Sequence, residues 1–289
     1  MRVITAPTVE PVTLAEVRAQ IGITDATDTS SDAIITRRIT EARQWAEDYM
    51  QRALITQTQE VRLDSFYGRH ARLNADSRCT EIVKLPFPNL LSVVSVKYID
   101  VDGVEQTINS ADYVVDTHSL VGNVRPAYGV AWPATRDEGN AVRIQYTCGY
   151  GVAALDSAKT ITGATNASPG VFTSAGHGFA DGDVILLATT GMTTPNGLPY
   201  RVYAKATDTF QLANLSNNAG LSTVSWGTFT AGTAQKVELL VPQLVKEALL
   251  LLIGHWMNFQ PQSENGASIT RVPFAVRDIF DKYGLPQYA

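Results

Sequence analysis

Apolar and polar positions along this chain change period several times, and each change marks an element. In PVTLAEVRAQIGI (11–23), Leu14, Val17 and Ile21 fall on one helical face. Thr13, with Glu16 three residues on, makes a capping box, and Gly22 is a natural stop. The polar stretch TDATDTSSD (24–32) reads as a loop. A second helix follows, capped by Ser31 or Asp32. Ile35, Ile39, Ala42, Ala46 and Tyr49 recur at alternating steps of four and three, which makes one apolar stripe that Trp45 widens. Arg37, Arg38, Glu41, Arg43, Glu47 and Asp48 fall largely on the wet side. The stripe predicts packing on a core or on a neighbouring subunit.

From Leu54 the period becomes two. ITQTQEVRLDSF (55–66) alternates Gln57, Gln59, Val61 and Leu63 against their neighbours. EIVKLPFPNLLSVVSVKYIDVDGVEQTI (81–108) holds two more strands, with Asp102-Gly103 as the hairpin turn between them. DYVVD (112–116) and AVRIQYTCGY (141–150) are assigned to the same sheet, so residues 55–150 read as one small antiparallel sheet with loops. At Ala158 the composition shifts. Residues 158–236 are rich in Thr, Ser, Gly, Ala and Asn, carry few charges and show no helical period. LPYRVYAKATDTFQLAN (198–214) reads as a hairpin with Asp208 near its turn. Short strands with frequent turn signals predict a small barrel or sandwich.

Pro242 then opens a strongly apolar helix, at a position where its missing N–H costs nothing. Leu244, Val245, Ala248, Leu249, Leu252, Ile253 and Trp256 make a broad face, and Leu250 and Leu251 extend it to the other sides. Such a helix needs cover on more than one flank. A polar loop, NFQPQSENGASIT (258–270), leads to a short final helix with Val276, Ile279, Phe280 and Tyr283 on one side. The fold class expected is α+β: a helical body with a small antiparallel sheet, interrupted by an all-β insertion. The boundaries expected are 1–157 and 237–289 for the body and 158–236 for the inserted module.

The chain has 289 residues, 45% of them apolar and 18% charged, enough for a real core and too few charges for a disordered chain. The formal charge of −5 argues against a protein that grips nucleic-acid phosphates over a wide face. Two cysteines, Cys79 and Cys148, fit a reducing compartment and no disulfide framework. MRVITAPTVEPV lacks an apolar targeting core, and the strongest apolar run, Ala248–Ile253, is six residues, where a membrane span needs about 20. A soluble protein made in a cytoplasm is expected.

Candidate chemistry centres on SAGHGFADGDVILL (174–187), where His177, Asp181 and Asp183 stand close together. A metal site usually needs three or four ligands at supportive spacing, and no second histidine lies in this module. Asp181-Gly182 has a direct explanation as a hairpin turn, with His177 and Phe179 before it and Val184, Ile185 and Leu186 entering the next strand. His70, His118 and His255 are scattered, and Cys148 reads as a buried apolar residue. No G-x-S-x-G, Walker, H-E-x-x-H or dinucleotide fingerprint occurs. No enzyme activity, metal or cofactor is expected. Two other readings stay open: a hydrolase using His177, Asp181 or Asp183, and a host- or glycan-binding accessory protein that uses the inserted β-module. The second would use Phe172, Phe179, Tyr200, Tyr203, Phe210 and Trp226 as a platform, unless these form the module's core.

With residues 158–236 set aside, the remaining pattern resembles the head–tail connector (adaptor, or head-completion) proteins of long-tailed phages. EARQWAEDYMQRALITQT (41–58) and LPFPNLLSVVSVKYID (85–100) carry the likeness best, and it covers roughly 10–150 and 238–283. The resemblance implies a homo-oligomeric ring, usually of twelve copies, at the head–tail junction of a virion. The ring would sit beneath the portal protein, extend the DNA channel and receive the next neck or tail protein, a stopper or tail terminator. DNA would pass without sequence-specific binding, and no membrane is involved. It further implies that residues 260–289 reach the portal, with Val272, Phe274, Val276, Ile279, Phe280 and Tyr283 as contacts and no catalytic residues. The segment 158–236 is similar to a small β-module of phage tail and fibre proteins. Acidic channel walls would let DNA slide; Asp64, Asp100, Asp102 and Glu105 are candidates for that lining.

Overall fold

The computed structural model describes residues 2–25, 27–66, 82–216, 218–258 and 273–285. The fold is α+β, strand-rich, with four helices and antiparallel sheets among the described residues. It forms two compact units: Met1–Ala6 with Gln51–Tyr150, and Pro7–Met50 with Gly151–Ala289.

The first unit is built of strands β1 (Arg2–Thr5), β2 (Gln57–Leu63), β3 (Val83–Lys84), β4 (Leu90–Ile99), β5 (Glu105–Thr107), β6 (Tyr113–Asp116), β7 (Asn123–Pro126) and β8 (Val142–Cys148). They make a five-stranded sheet of order β1-β2-β8-β4-β5 and a three-stranded sheet of order β3-β7-β6. The expected Asp102-Gly103 turn closes β4 on β5, with Gly103 at φ +87, a conformation that glycine adopts without penalty. One expectation is corrected here: DYVVD does not join the sheet of 142–148. Both edges of β8 are taken, by β2 and β4. β6 instead closes a local hairpin on β7, and the Asp116 carboxylate organises the turn by accepting from the amides of His118 (2.9 Å) and Ser119 (3.1 Å). Those bonds, with the one from the Ser119 hydroxyl foremost, hold Asp116 down to about 2.

Alternation sets the core of this unit. Val61, Ile144 and Val96 are cross-strand neighbours on one face, and Val142 and Tyr146 flank them. Phe66 stacks on Trp132 at 4.5 Å beside them. The hydroxyl of Tyr146 donates to the carbonyl of Pro86 at 2.7 Å.

The second unit carries helices α1 (Leu14–Gln20), α2 (Asp32–Met50), α3 (Gln243–Asn258) and α4 (Phe274–Tyr283). The Thr13/Glu16 capping box is present at the start of α1. At its end, Gly22 takes φ +81 while its amide reaches Ala19 O and that of Ile23 reaches Arg18 O, the two bonds of a Schellman stop. α2 buries Ile35, Ile39, Ala42 and Ala46 as its stripe predicts.

Two charges placed on its wet side are corrected, for Arg43 and Glu47 are buried. Arg43 Nε donates to Glu10 at 2.7 Å and its Nη1 to Glu47 at 2.8 Å, and the Thr40 hydroxyl also donates to Glu10. The carboxylate brought in from residue 10 lets the guanidinium leave water, because a buried charge must be paired. Helix α3 also departs from its stripe: Leu250 is buried, while Leu244 and Leu251 are 47% and 42% exposed.

The same unit holds β9 (Val152–Ala154), β10 (Lys159–Ile161), β11 (Gly163–Ala164), β12 (Val171–Thr173), β13 (Val184–Thr190), β14 (Pro199–Tyr203), β15 (Thr209–Leu212) and β16 (Ala231–Leu239). Their order is β10-β16-β13-β14-β15-β12-β11, with β9 also paired to β16. The end strands of that order, β10 and β11, are consecutive in the chain and joined through Thr162. Arg201 of β14 donates to the carbonyls of Gly182 (3.1 Å) and Glu10 (3.2 Å), and the Thr8 hydroxyl donates to Pro199 O. The strands are thereby tied to the segment that leads into α1.

Burial pushes Tyr200 up to about 12, and raises Tyr146 as well, with Cys148 adding to its shift. A phenol raised above its unfolded value of about 10 contributes stability that is complete below pH 10 and lost as pH climbs through the folded value. Tyrosinate absorbance in an alkaline titration is therefore expected to lag for these two side chains and to rise with unfolding. Full ionisation of all tyrosines near pH 10 without unfolding would contradict their burial.

Candidate functional site

The stretch 174–187 is where sequence placed the most chemistry, and His177, Asp181 and Asp183 each make at least one structural hydrogen bond. Asp183 pairs with Lys236 at 2.7 Å and accepts from the amide of Ala180. Asp181 accepts from the amide of Lys205 at 2.9 Å. His177 is 2% exposed, lies 5.0 Å from the ring of Phe179 and 5.3 Å from that of Phe210, and its Nδ1 accepts from the amide of Phe179. Its Nε2 is buried without a partner. No group of three His, Cys, Asp or Glu side chains suited to a metal ion occurs among the described residues. The Asp181-Gly182 turn is real but does not close a hairpin. It leads into β13, whose partners are β14 and β16, because the preceding β12 pairs with β11 and β15.

The aromatic residues weighed as a sugar platform face inward. Phe172, Phe179, Tyr200, Phe210 and Trp226 belong to one buried cluster, and Tyr203 is half-buried. A platform needs exposed ring faces, which these five do not offer.

Of the six residues expected to contact a portal, Val272 lies outside the described residues. Phe274 is 79% exposed, Ile279 and Tyr283 are half-buried, and Val276 and Phe280 are buried. Phe280 packs 5.9 Å from the ring of Trp45 and 6.3 Å from that of Tyr49, and the Tyr49 hydroxyl donates to Asp281 at 2.8 Å. The inner face of α4 is thus docked on α2, and Phe274 stands free at its start.

The four acids offered as a channel lining all lie in the first unit. Glu105 pairs with Lys97 (2.9 Å) and Arg143 (2.7 Å) on the polar face of the five-stranded sheet. Arg62 faces Arg143 across β2 and β8 on that face, and Lys97 faces it from β4. Asp100 shapes the β4–β5 turn, accepting from Gln106 Nε2 (2.8 Å) and the amides of Val104 and Asp102. Those bonds hold it below the usual carboxylate range. Asp64 accepts from the amide of Asn140. Beside the turn, Val101 and Val104 are exposed.

Comparison with known proteins gives two findings. Residues 11–69 match the model of the phage gp6-like head-tail connector protein family. That span holds α1, α2 and β2, the part of the chain with the helix-to-strand junction singled out in sequence. Among solved structures, a chain in the neck of an empty GTA particle, computed with C6 symmetry, shares the fold. The likeness has 14% identity and a TM-score of 0.53 and covers 98% of this chain and 95% of that one. A chain in the virion of a native gene transfer agent particle aligns with 14% identity and a TM-score of 0.50, over 98% and 94%. No curated protein matches the sequence. Among the described residues, no helix is long and apolar enough to cross a membrane.

Proposed function

We propose that this chain is a structural head–tail connector: a non-enzymatic virion component, twelve copies of which form a ring between the portal and the next neck or tail protein. The observation that carries this reading is the combined likeness, a connector family match over α1, α2 and β2 and a neck-protein fold over nearly the whole chain. A twelve-fold ring contains six-fold symmetry, so the symmetry named for the GTA neck is compatible with that copy number. A ring subunit needs two different surfaces that mate head to tail.

The finer parts of the reading have support of their own. Residues 158–236 are proposed as a module whose strands roll into a small barrel. Its support is that the two end strands of its order are consecutive in the chain. The portal contact is proposed at the C-terminal segment, led by Phe274, whose exposed ring at the start of a docked helix is an anchor of the kind that binding surfaces use. DNA is proposed to pass through the ring without base readout, in keeping with a net charge of −5.

The test is electron microscopy of the purified chain mixed with its portal protein. Closed rings seated coaxially on the portal are expected. Solitary molecules that leave the portal unaltered would contradict the reading.

A further inference from the structure

The helices of the second unit leave two outward stripes with matching residue spacing and complementary chemistry. On α2 the stripe is Ile34 (38% exposed), Arg37, Glu41, Gln44 and Asp48, at steps of three and four. Its cation, Arg37, has a side chain 65% exposed and only a loose pair with Glu41 at 3.5 Å. On α3 the stripe is Leu244 (47%), Glu247, Leu251 (42%) and Asn258. Its anion, Glu247, accepts from Gln243 Nε2 at 2.8 Å and has no cationic partner among the described residues. A helix already buried on Val245, Ala248, Leu249, Leu250, Leu252 and Ile253 has no need of two more leucines for its own core. Leucines flanking a carboxylate on an outer face fit a partner that offers an aliphatic side chain one turn from a cation. Ile34 and Arg37 are that pair.

We infer that the α3 stripe of one copy docks on the α2 stripe of the next, with Arg37 meeting Glu247 and Ile34 meeting Leu244, one turn away on each helix. The inference rests on the connector reading, and names the surface by which a second copy of this chain is recognised. Because the two stripes are different patches, the contact is heterologous, the kind whose repetition makes a ring when the rotation between copies closes. The charge pair sets register and the leucines contribute the area removed from water.

The test is a charge exchange in the full chain, read as ring formation by analytical ultracentrifugation and microscopy with the portal present. Arg37→Glu and Glu247→Arg are each expected to raise the concentration needed for half assembly by about tenfold or more, because like charges then face each other at every interface. The double variant Arg37→Glu with Glu247→Arg is expected to recover assembly. Both positions are exposed, so melting temperatures check that each variant folds, and recovery in the double variant would itself show a folded chain. Rings that tolerate both single reversals, or single defects that the double variant does not relieve, would overturn this surface while leaving the connector reading standing. A wild-type chain that forms no ring would overturn both.

Discussion

Replacing Arg43 with alanine is expected to lower the free energy of unfolding by about 3–5 kcal/mol at neutral pH, the range for removing one partner from a buried charge pair. Its side chain is 5% exposed and those of Glu10 and Glu47 are 8%. Without the guanidinium, two carboxylates face each other out of water. The loss comes from what is left behind more than from the worth of the ion pairs themselves. A triple variant, Glu10→Leu, Arg43→Met and Glu47→Leu, is therefore expected to recover most of the stability, since apolar groups of similar volume carry no desolvation penalty. Urea denaturation of the single and triple variants checks both. A single variant within about 0.5 kcal/mol of wild type, the usual scatter of surface substitutions, would show that this cluster is not a buried network. The consequence reaches function, because Glu10 anchors the segment entering α1 to α2, and both helices lie within the span 11–69 that matches the connector family.

The second large effect concerns α4. Phe280 is fully buried against the stacked rings of Trp45 and Tyr49, so Phe280→Ala is expected to destabilise by about 3–5 kcal/mol, or to release α4 from α2. Hydrogen exchange across 274–283 separates the two outcomes, since release removes protection from this helix alone. Phe274→Ser, at a position 79% exposed, is expected to change stability by no more than about 0.5 kcal/mol while weakening portal binding. An unchanged melting curve for Phe280→Ala would mean that α4 does not dock. Unchanged portal affinity for Phe274→Ser would remove that residue from the contact. Of the six residues expected to contact a portal, Phe280 is thus buried against α2 while Phe274 is exposed.

How far the sequence could be read follows from the range of each signal. The capping box at Thr13, the stop at Gly22, the α2 stripe and the Asp102-Gly103 turn are local, and all four stand in the structure. The signals that failed are nonlocal. The burial of Arg43 depends on Glu10, 33 residues away, which no helical period reveals. The four residues of β1 gain their strand by pairing with β2, more than fifty positions on, across a register shift. DYVVD has strand character, but its sheet is decided by which edges of β8 are already occupied. Asp181-Gly182 marks a turn correctly and yet cannot say which strands the turn will join. The outward Leu244 and Leu251 were legible as apolar. Their exposure was not, because it depends on where neighbouring elements stop covering α3.

The central claim, that this chain joins a head to a tail, is tested most directly by particles assembled in cells from which its gene has been removed. DNA-filled heads and free tails that remain unjoined are expected, with joining restored when the purified chain is added to the lysate. Tailed, infectious particles assembling at normal yield without it would contradict the account.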